Sequence, residues 1–167
     1  VFSSLIFGVL IFNLWLMIAQ LFIKEYWLVD YQMEGNHFRQ ITMASCLLIY
    51  FVRLQMTVWI FQKRKWTWLE TTIISTLMSI VVYAYANAGG SNIEPVGFVE
   101  IFGILIYLLG SYINTQSEYS RYVWKRFEAN KGRLYTKGLF RLSMHINYLG
   151  DIVLFIGLTL IAGRFSL

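Results

Sequence analysis

The sequence predicts an all-α protein, a polytopic bundle of helices that crosses a membrane several times. Three observations predict this fold class. Hydrophobic residues make up 57% of the 167 residues and charged residues only 14%, whereas a soluble domain is usually about 25% charged. Apolar runs about as long as a spanning helix, roughly 20 residues, recur along the chain. Backbone polar groups inside a bilayer must be paired within the segment, so these runs predict helices and not open strands.

Five apolar segments are each predicted to cross the membrane, and together they form one expected membrane domain over residues 1–167. The second segment is interrupted only by Arg53, and the fifth is long enough only if it begins near Asn147. The predicted spans are residues 1–23, 40–62, 71–93, 97–117 and 147–163. We expect further residues before Val1 and after Leu167, and more spans in the full-length protein.

The basic residues of the connecting loops alternate between few and many along the chain. Loops 24–39 and 94–100 contain two and none, whereas loops 63–70 and 118–151 contain three and seven. The positive-inside rule therefore predicts that loops 63–70 and 118–151 lie in the cytoplasm. The net charge of +5 then indicates topology and contact with anionic membrane lipid, and not a nucleic-acid partner.

Local signals predict where the third and fourth spans begin, pack and end. Thr67 and Glu70 have the spacing of a capping box, which predicts that the third span begins there. Gly103 and Gly110 lie seven residues apart on one face of the fourth span, so a neighbouring helix is expected to approach closely. The fourth helix is predicted to continue out of the membrane through residues 117–130.

The second span contains a candidate substrate cavity. A central arginine is costly in a bilayer, so Arg53 is expected to face protein or water. Tyr50 and Gln55 flank it, and the three side chains are candidates for the wall of a polar cavity. The alternative is a structural pair between Arg53 and an acid or a carbonyl. The single cysteine, Cys46, is predicted to be buried, and no Cys/His spacing predicts a metal site.

The end of the fourth span carries a polar stripe. Asn114, Glu118, Arg121 and Lys125 recur at the spacing of one helix face, and Glu118 is placed to pair with Arg121. Arg121 and Lys125 are suited to hold a phosphate group. A solvated face that obeys the positive-inside rule is the alternative interpretation.

Four polar residues stand at the start of the fifth span. If residues 147–151 open a helix, Asn147 and Asp151 share a face, with Asn147 as the N-cap and Asp151 in the first turn. Helix capping explains these two residues, but it does not explain His145 or Tyr148.

The pattern Gly-Leu-Phe-(x)3-Met-His-x-Asn-Tyr-x-Gly-Asp at residues 138–151 resembles the steroid 5-alpha-reductase and sterol reductase superfamily, in particular its bacterial reductase-like branch. The pattern Asn114-x-Gln116 resembles one that ends a helix in sterol reductases. The resemblance extends over residues 45–163 and is specific at 138–151. Met144 stands where these relatives have arginine, so Arg121 or Arg141 would have to replace that phosphate-binding charge.

The resemblance implies a helical fold with an NADPH pocket that faces the cytoplasm. The residues that the resemblance implies at the cofactor are Asn114, Gln116, His145, Asn147, Tyr148 and Asp151, with Tyr148 as the candidate catalytic group. Arg121 joins them as the candidate phosphate contact. The expected function is reduction of a lipid-soluble enone or sterol-like double bond. Because the superfamily includes isoprenylcysteine and phospholipid methyltransferases, an S-adenosylmethionine-dependent methyltransferase is the first alternative. A non-catalytic lipid-binding protein is the second.

Overall fold

The computed structural model describes residues 35–61, 67–130 and 132–163, which form four α-helices and no strands. The first predicted span, residues 1–23, lies outside the described residues. The helices are α1 (His37–Met56), α2 (Trp68–Gly90), α3 (Phe98–Lys125) and α4 (Ile146–Ala162). A π-helical turn (Thr57–Phe61) continues α1, and two 3₁₀ turns (Glu128–Asn130 and Gly138–Arg141) lie between α3 and α4.

Three of these helices are long and apolar enough to cross a membrane. They are α1 with its π-helical turn, α2 and α3, and α4 is a shorter apolar helix of 17 residues. Large apolar side chains such as Leu77, Ile80 and Leu105 are more than half exposed on their outer faces, as expected of surfaces that meet lipid. The prediction of an all-helical membrane bundle is confirmed.

The start of α2 matches its sequence signal. The Thr67 hydroxyl accepts a hydrogen bond from the Glu70 N–H (3.2 Å), and the Glu70 carboxylate accepts one from the Thr67 N–H (3.0 Å). The predicted capping box is therefore present. The predicted helical continuation over residues 117–130 is present only in part, because α3 continues to Lys125 and a separate 3₁₀ turn follows at Glu128–Asn130.

The start of α4 differs from the prediction. The helix begins at Ile146 and its N-cap is His145, whose carbonyl accepts hydrogen bonds from the N–H groups of Tyr148 and Leu149. The interpretation of Asn147 as the N-cap is therefore wrong. Asp151 lies in the second turn and not in the first, because helical bonding starts before Asn147.

Helices α3 and α4 pack in contact along two pairs of glycines. Gly103 of α3 faces Gly157 of α4, and Gly110 of α3 faces Gly150 of α4, so the two helices run antiparallel. A Cβ atom on Gly157 would collide with the backbone of Tyr107. Small residues of this kind let the backbones of membrane helices touch, and the close approach predicted from Gly103 and Gly110 is confirmed.

A buried arginine connects α1 to the α2–α3 loop, α3 and α4 at the end of the bundle opposite the residue 138–151 motif. Arg39 of α1 has a fully buried side chain. Its guanidinium donates to the carbonyls of Ile161 (3.1 Å), Asn92 (3.3 Å) and Glu94 (2.8 Å) and to the Glu100 carboxylate (2.7 Å). We call this set the Arg39 clamp. It satisfies a carbonyl in the last turn of α4 that has no partner within the helix.

Candidate functional site

The close contact of α3 and α4 brings two polar side chains of the predicted site together. Asn114 is buried, and its amide donates to the Asp151 carboxylate (2.8 Å) and to the Asn147 carbonyl (3.0 Å). A short side chain reaches both acceptors because Gly150 faces it: a Cβ on Gly150 would lie 2.6 Å from the Asn114 backbone nitrogen. The glycine contact therefore positions the site as well as the helices.

Arg53 of α1 adds a third helix to this contact between α3 and α4. Its Nε donates to the Thr115 hydroxyl (2.9 Å), and its Nη2 lies 3.5 Å from the Asp151 carboxylate. We call Arg53, Asn114, Thr115 and Asp151 the polar cluster. The Arg53 side chain is only 10% exposed, and among the described residues its buried Nη1 has no hydrogen-bond partner. A buried donor without an acceptor is costly, so this atom is suited to bind an oxygen of a ligand.

A second carboxylate lies beside the polar cluster on α3. Glu118 is buried, accepts a hydrogen bond from the Thr57 hydroxyl (2.6 Å) and lies 3.8 Å from the Arg121 guanidinium. The predicted pair of Glu118 and Arg121 is thus present, although it is long. Thr57 begins the π-helical turn, a type of irregularity that is frequent at functional sites. Arg121 also lies over the Phe140 ring, 5.9 Å from its centroid.

The remaining predicted cofactor residues lie outside the polar cluster. The rings of His145 and Tyr148 stack at 5.6 Å, and both side chains are exposed, Tyr148 by 61%. Met144 is exposed beside them. The Gln116 amide contacts Ser120 of its own helix (3.4 Å). These residues border the motif end of the bundle but do not join the Arg53–Asp151 contacts.

Of the three predicted cavity residues, only Arg53 joins the polar cluster. Tyr50 donates its hydroxyl hydrogen to the Met78 sulfur (3.1 Å) and packs edge-on against Phe155. The Gln55 carbonyl accepts from the exposed Trp59 indole of the same helical segment (2.8 Å). The Gln55 amide nitrogen is buried and, within the described ranges, has no partner.

Two threonines contribute to the site although the sequence did not single them out. Thr115 binds Arg53, and Thr57 binds Glu118. A signal existed for Thr57, which lies four residues after Arg53 and therefore on the same helix face. Thr115 had no such signal, because no residue on its own helix indicates its contact with Arg53.

The fold and the polar cluster define an integral membrane protein with a buried polar site between three of its helices. The chain belongs to the family described as "Protein of unknown function (DUF1295)", which matches residues 51–166. The match includes the whole polar cluster, whereas Arg39 precedes it. No curated protein and no solved structure matches the chain.

Proposed function

We propose that the protein is an NADPH-dependent membrane reductase. Its substrate would be a lipid-soluble compound with a carbon–carbon double bond conjugated to a carbonyl, as in the steroid 5-alpha-reductase superfamily that residues 138–151 resemble. The observation that carries the proposal is the buried Arg53 Nη1, a cationic donor without a partner among the described residues. It lies next to Asp151 and Asn114, which belong to the resembling motifs.

The position of Arg53 favours a substrate that dissolves in lipid. Arg53 lies eight residues before the end of the helical segment at Phe61, which at 1.5 Å per residue is about 12 Å of helix. Apolar side chains of α1 such as Val52 are half exposed at this level. This depth therefore favours a ligand that reaches Arg53 from the bilayer over one that reaches it through water.

The basic residues at the motif end fit the phosphates of a dinucleotide. Arg121 is partly exposed and has a long ion-pair contact with Glu118 besides its contact with the Phe140 ring, and Lys125 and Arg141 are exposed. Guanidinium groups suit phosphate because they donate in a fixed fork. In this proposal Arg121 and Arg141 supply the charge that relatives have at the position of Met144, and the predicted topology places them on the cytoplasmic side.

The proposed chemistry assigns separate tasks to the residues of the polar cluster. When bound, NADPH supplies the hydride, and one proton completes the reduction of the double bond. Arg53 Nη1 donates to the substrate carbonyl, where negative charge develops as the conjugated carbon accepts the hydride. Asn114 holds Asp151, and Asp151 orients Arg53. Tyr148, the other candidate for the polarising donor, is exposed at the motif end, and in this proposal it supplies the proton instead.

Ligand-induced stabilisation tests the cofactor. The full-length protein in detergent is melted alone and with NADPH, NADP⁺ or S-adenosylmethionine. A ligand at 100 times its dissociation constant stabilises the folded state by about 2.7 kcal/mol, and we expect this response with NADPH. Stabilisation by S-adenosylmethionine alone would contradict the proposal and favour the methyltransferase, whereas no response to any of them would favour a non-catalytic lipid-binding protein.

Arg53→Met tests the assignment of the polarising group. Loss of one preorganised donor at a developing oxyanion typically lowers kcat by about 100-fold, and we expect that loss in enone-dependent NADPH oxidation. The stabilisation by NADPH should persist, because the proposed phosphate contacts are unchanged. Ser45→Ala is the matched control on the same helix, since the Ser45 hydroxyl is exposed and donates to the Ile41 carbonyl of its own helix, away from the polar cluster. Wild-type turnover in Arg53→Met would refute the role of Arg53.

A further inference from the structure

The segment between α3 and α4 exposes large apolar side chains although part of it packs against α3. We call residues 126–130 and 132–145 the connector. The Tyr135 ring centroid lies 5.4 Å from that of Trp124 in α3 and 5.3 Å from that of Phe140, and Phe140 is buried. Other apolar side chains of the connector point away from this packing. The exposed ones are Phe127 (62%), Leu134 (67%), Leu142 (79%) and Met144 (62%).

Basic residues alternate with these apolar side chains along the connector. Arg126, Arg133, Lys137 and Arg141 are all exposed, and Glu128 is the only acidic residue between positions 126 and 145. The connector is therefore both strongly basic and outwardly apolar. In a loop surrounded by water, several large exposed apolar side chains would be unfavourable. The combination of positive charge and exposed apolar area therefore indicates a different environment.

The location of the connector explains the combination. It joins α3, which is long enough to span a membrane, to the apolar helix α4, so it lies at a membrane surface. In that layer apolar side chains enter the boundary of the acyl chains, while lysine and arginine reach the head groups. Anionic head groups complement the positive charge of the connector.

We propose that the connector is a binding surface for anionic phospholipid. Arg133 and Lys137 contact the phosphates, while Leu134 and Leu142 enter the apolar boundary of the same leaflet. This surface is distinct from the proposed reductase site, since it uses neither the polar cluster nor Arg121 and Arg141, the proposed contacts of the NADPH phosphates. It would hold the motif end of the bundle at a fixed level in the membrane.

The opposite end of the bundle offers a matched control. Ile93 and Phe98 are exposed by 72% and 81%, but residues 91–98 include no basic residue and one acid, Glu94. This end is apolar without being cationic. Its insertion into a bilayer is therefore expected to be independent of anionic lipid.

A polarity-sensitive fluorophore at the connector tests the proposal. The label is attached to Leu142→Cys or, as the control, Ile93→Cys, each in the full-length chain with Cys46→Ala, and the protein is placed in nanodiscs. We expect the emission of the label at position 142 to shift to the blue when phosphatidylglycerol is added to phosphatidylcholine, whereas the label at position 93 is unchanged. Aqueous emission at position 142 in both lipids would overturn the proposal.

Charge removal supplies an independent measurement. Each basic residue near an anionic surface contributes about 1 kcal/mol, or roughly fivefold in affinity. The variant with Arg133→Gln and Lys137→Gln should therefore lose at least about fivefold in phosphatidylglycerol retained in native mass spectrometry, with unchanged phosphatidylcholine. Equal retention would refute the surface. If NADPH displaces the bound phosphatidylglycerol, these cations hold the cofactor and the proposal fails.

Discussion

Replacing Arg39 by methionine is expected to lower the free energy of unfolding by about 3–5 kcal/mol, as for other buried ion pairs that lose one partner. The Arg39 side chain is fully buried, and its closest partner is the Glu100 carboxylate, which is 13% exposed. Without the guanidinium, the Glu100 Oε1 atom and the carbonyls of Ile161 and Glu94 lose the Arg39 donor in a site that water does not reach readily, whereas Glu100 Oε2 keeps its bond from the Gly97 N–H. The loss would act on four elements together, because the Arg39 clamp contacts α1, the α2–α3 loop, α3 and α4.

Thermal and denaturant unfolding in a fixed detergent measures this effect. Arg53→Met is the matched comparison, because Arg53 has one good hydrogen bond and one long ion-pair contact, so its loss should cost about 1 kcal/mol. Adding Glu100→Gln to Arg39→Met should recover only part of the stability, since the carbonyls stay without a donor. If Arg39→Met melts like Arg53→Met, the clamp is not the stabilising contact inferred here.

Gly150→Ala is expected to disrupt both the helix contact and the site. A methyl group there would lie 2.6 Å from the backbone nitrogen and 2.8 Å from the Cβ of Asn114, and backbone atoms cannot turn aside as a flexible side chain does. Overpacking of this kind costs about 1–3 kcal/mol. Because α4 must move away from α3, the Asn114 amide should also lose its hold on Asp151. Both residues are among those that the resemblance implies at the cofactor, whereas Arg53 is not, so the stabilisation by NADPH should disappear in this variant.

Gly97→Ala is the control for this substitution. A methyl at Gly97 would lie 3.4 Å from the Glu100 carboxylate, and its backbone is extended, so alanine fits without strain. Melting curves with and without NADPH compare the two variants. A Gly150→Ala protein with normal stability and a normal response would show that the α3–α4 contact can relax without loss.

Features that depend on one segment were predictable from the sequence. Uninterrupted apolar runs predict spanning helices because the bilayer leaves no other way to pair the backbone. The capping box of Thr67 and Glu70 is local, and its residues bind each other. Gly103 and Gly110 predicted a close neighbour because they share a face, although the identity of that neighbour required the fold.

Features that depend on distant segments were not predictable. Arg39 ends a loop of mixed charge in the sequence, and its acidic partner lies 61 residues away, so nothing local distinguishes it from a surface residue. The cap of α4 was assigned to Asn147 on residue preference, but the helix begins at Ile146 with His145 as its cap, and the Asn147 carbonyl accepts a hydrogen bond from Asn114 of another helix. Gln55 follows Arg53 closely in sequence, yet two residues along a helix point in different directions.

The brevity of α4 has a consequence for the bilayer itself. Its 17 residues rise about 26 Å, less than the roughly 30 Å of a hydrocarbon core. If α4 crosses the bilayer as predicted, its length creates a hydrophobic mismatch, which lipids relieve by thinning around the helix. At one end the Asn92 amide and the Arg39 guanidinium bind the last carbonyls of α4, so those carbonyls are satisfied without water. At the other end, such thinning would lower the aqueous boundary toward Asp151. Under the proposed function, NADPH from water and a substrate from the lipid would then meet at the same depth.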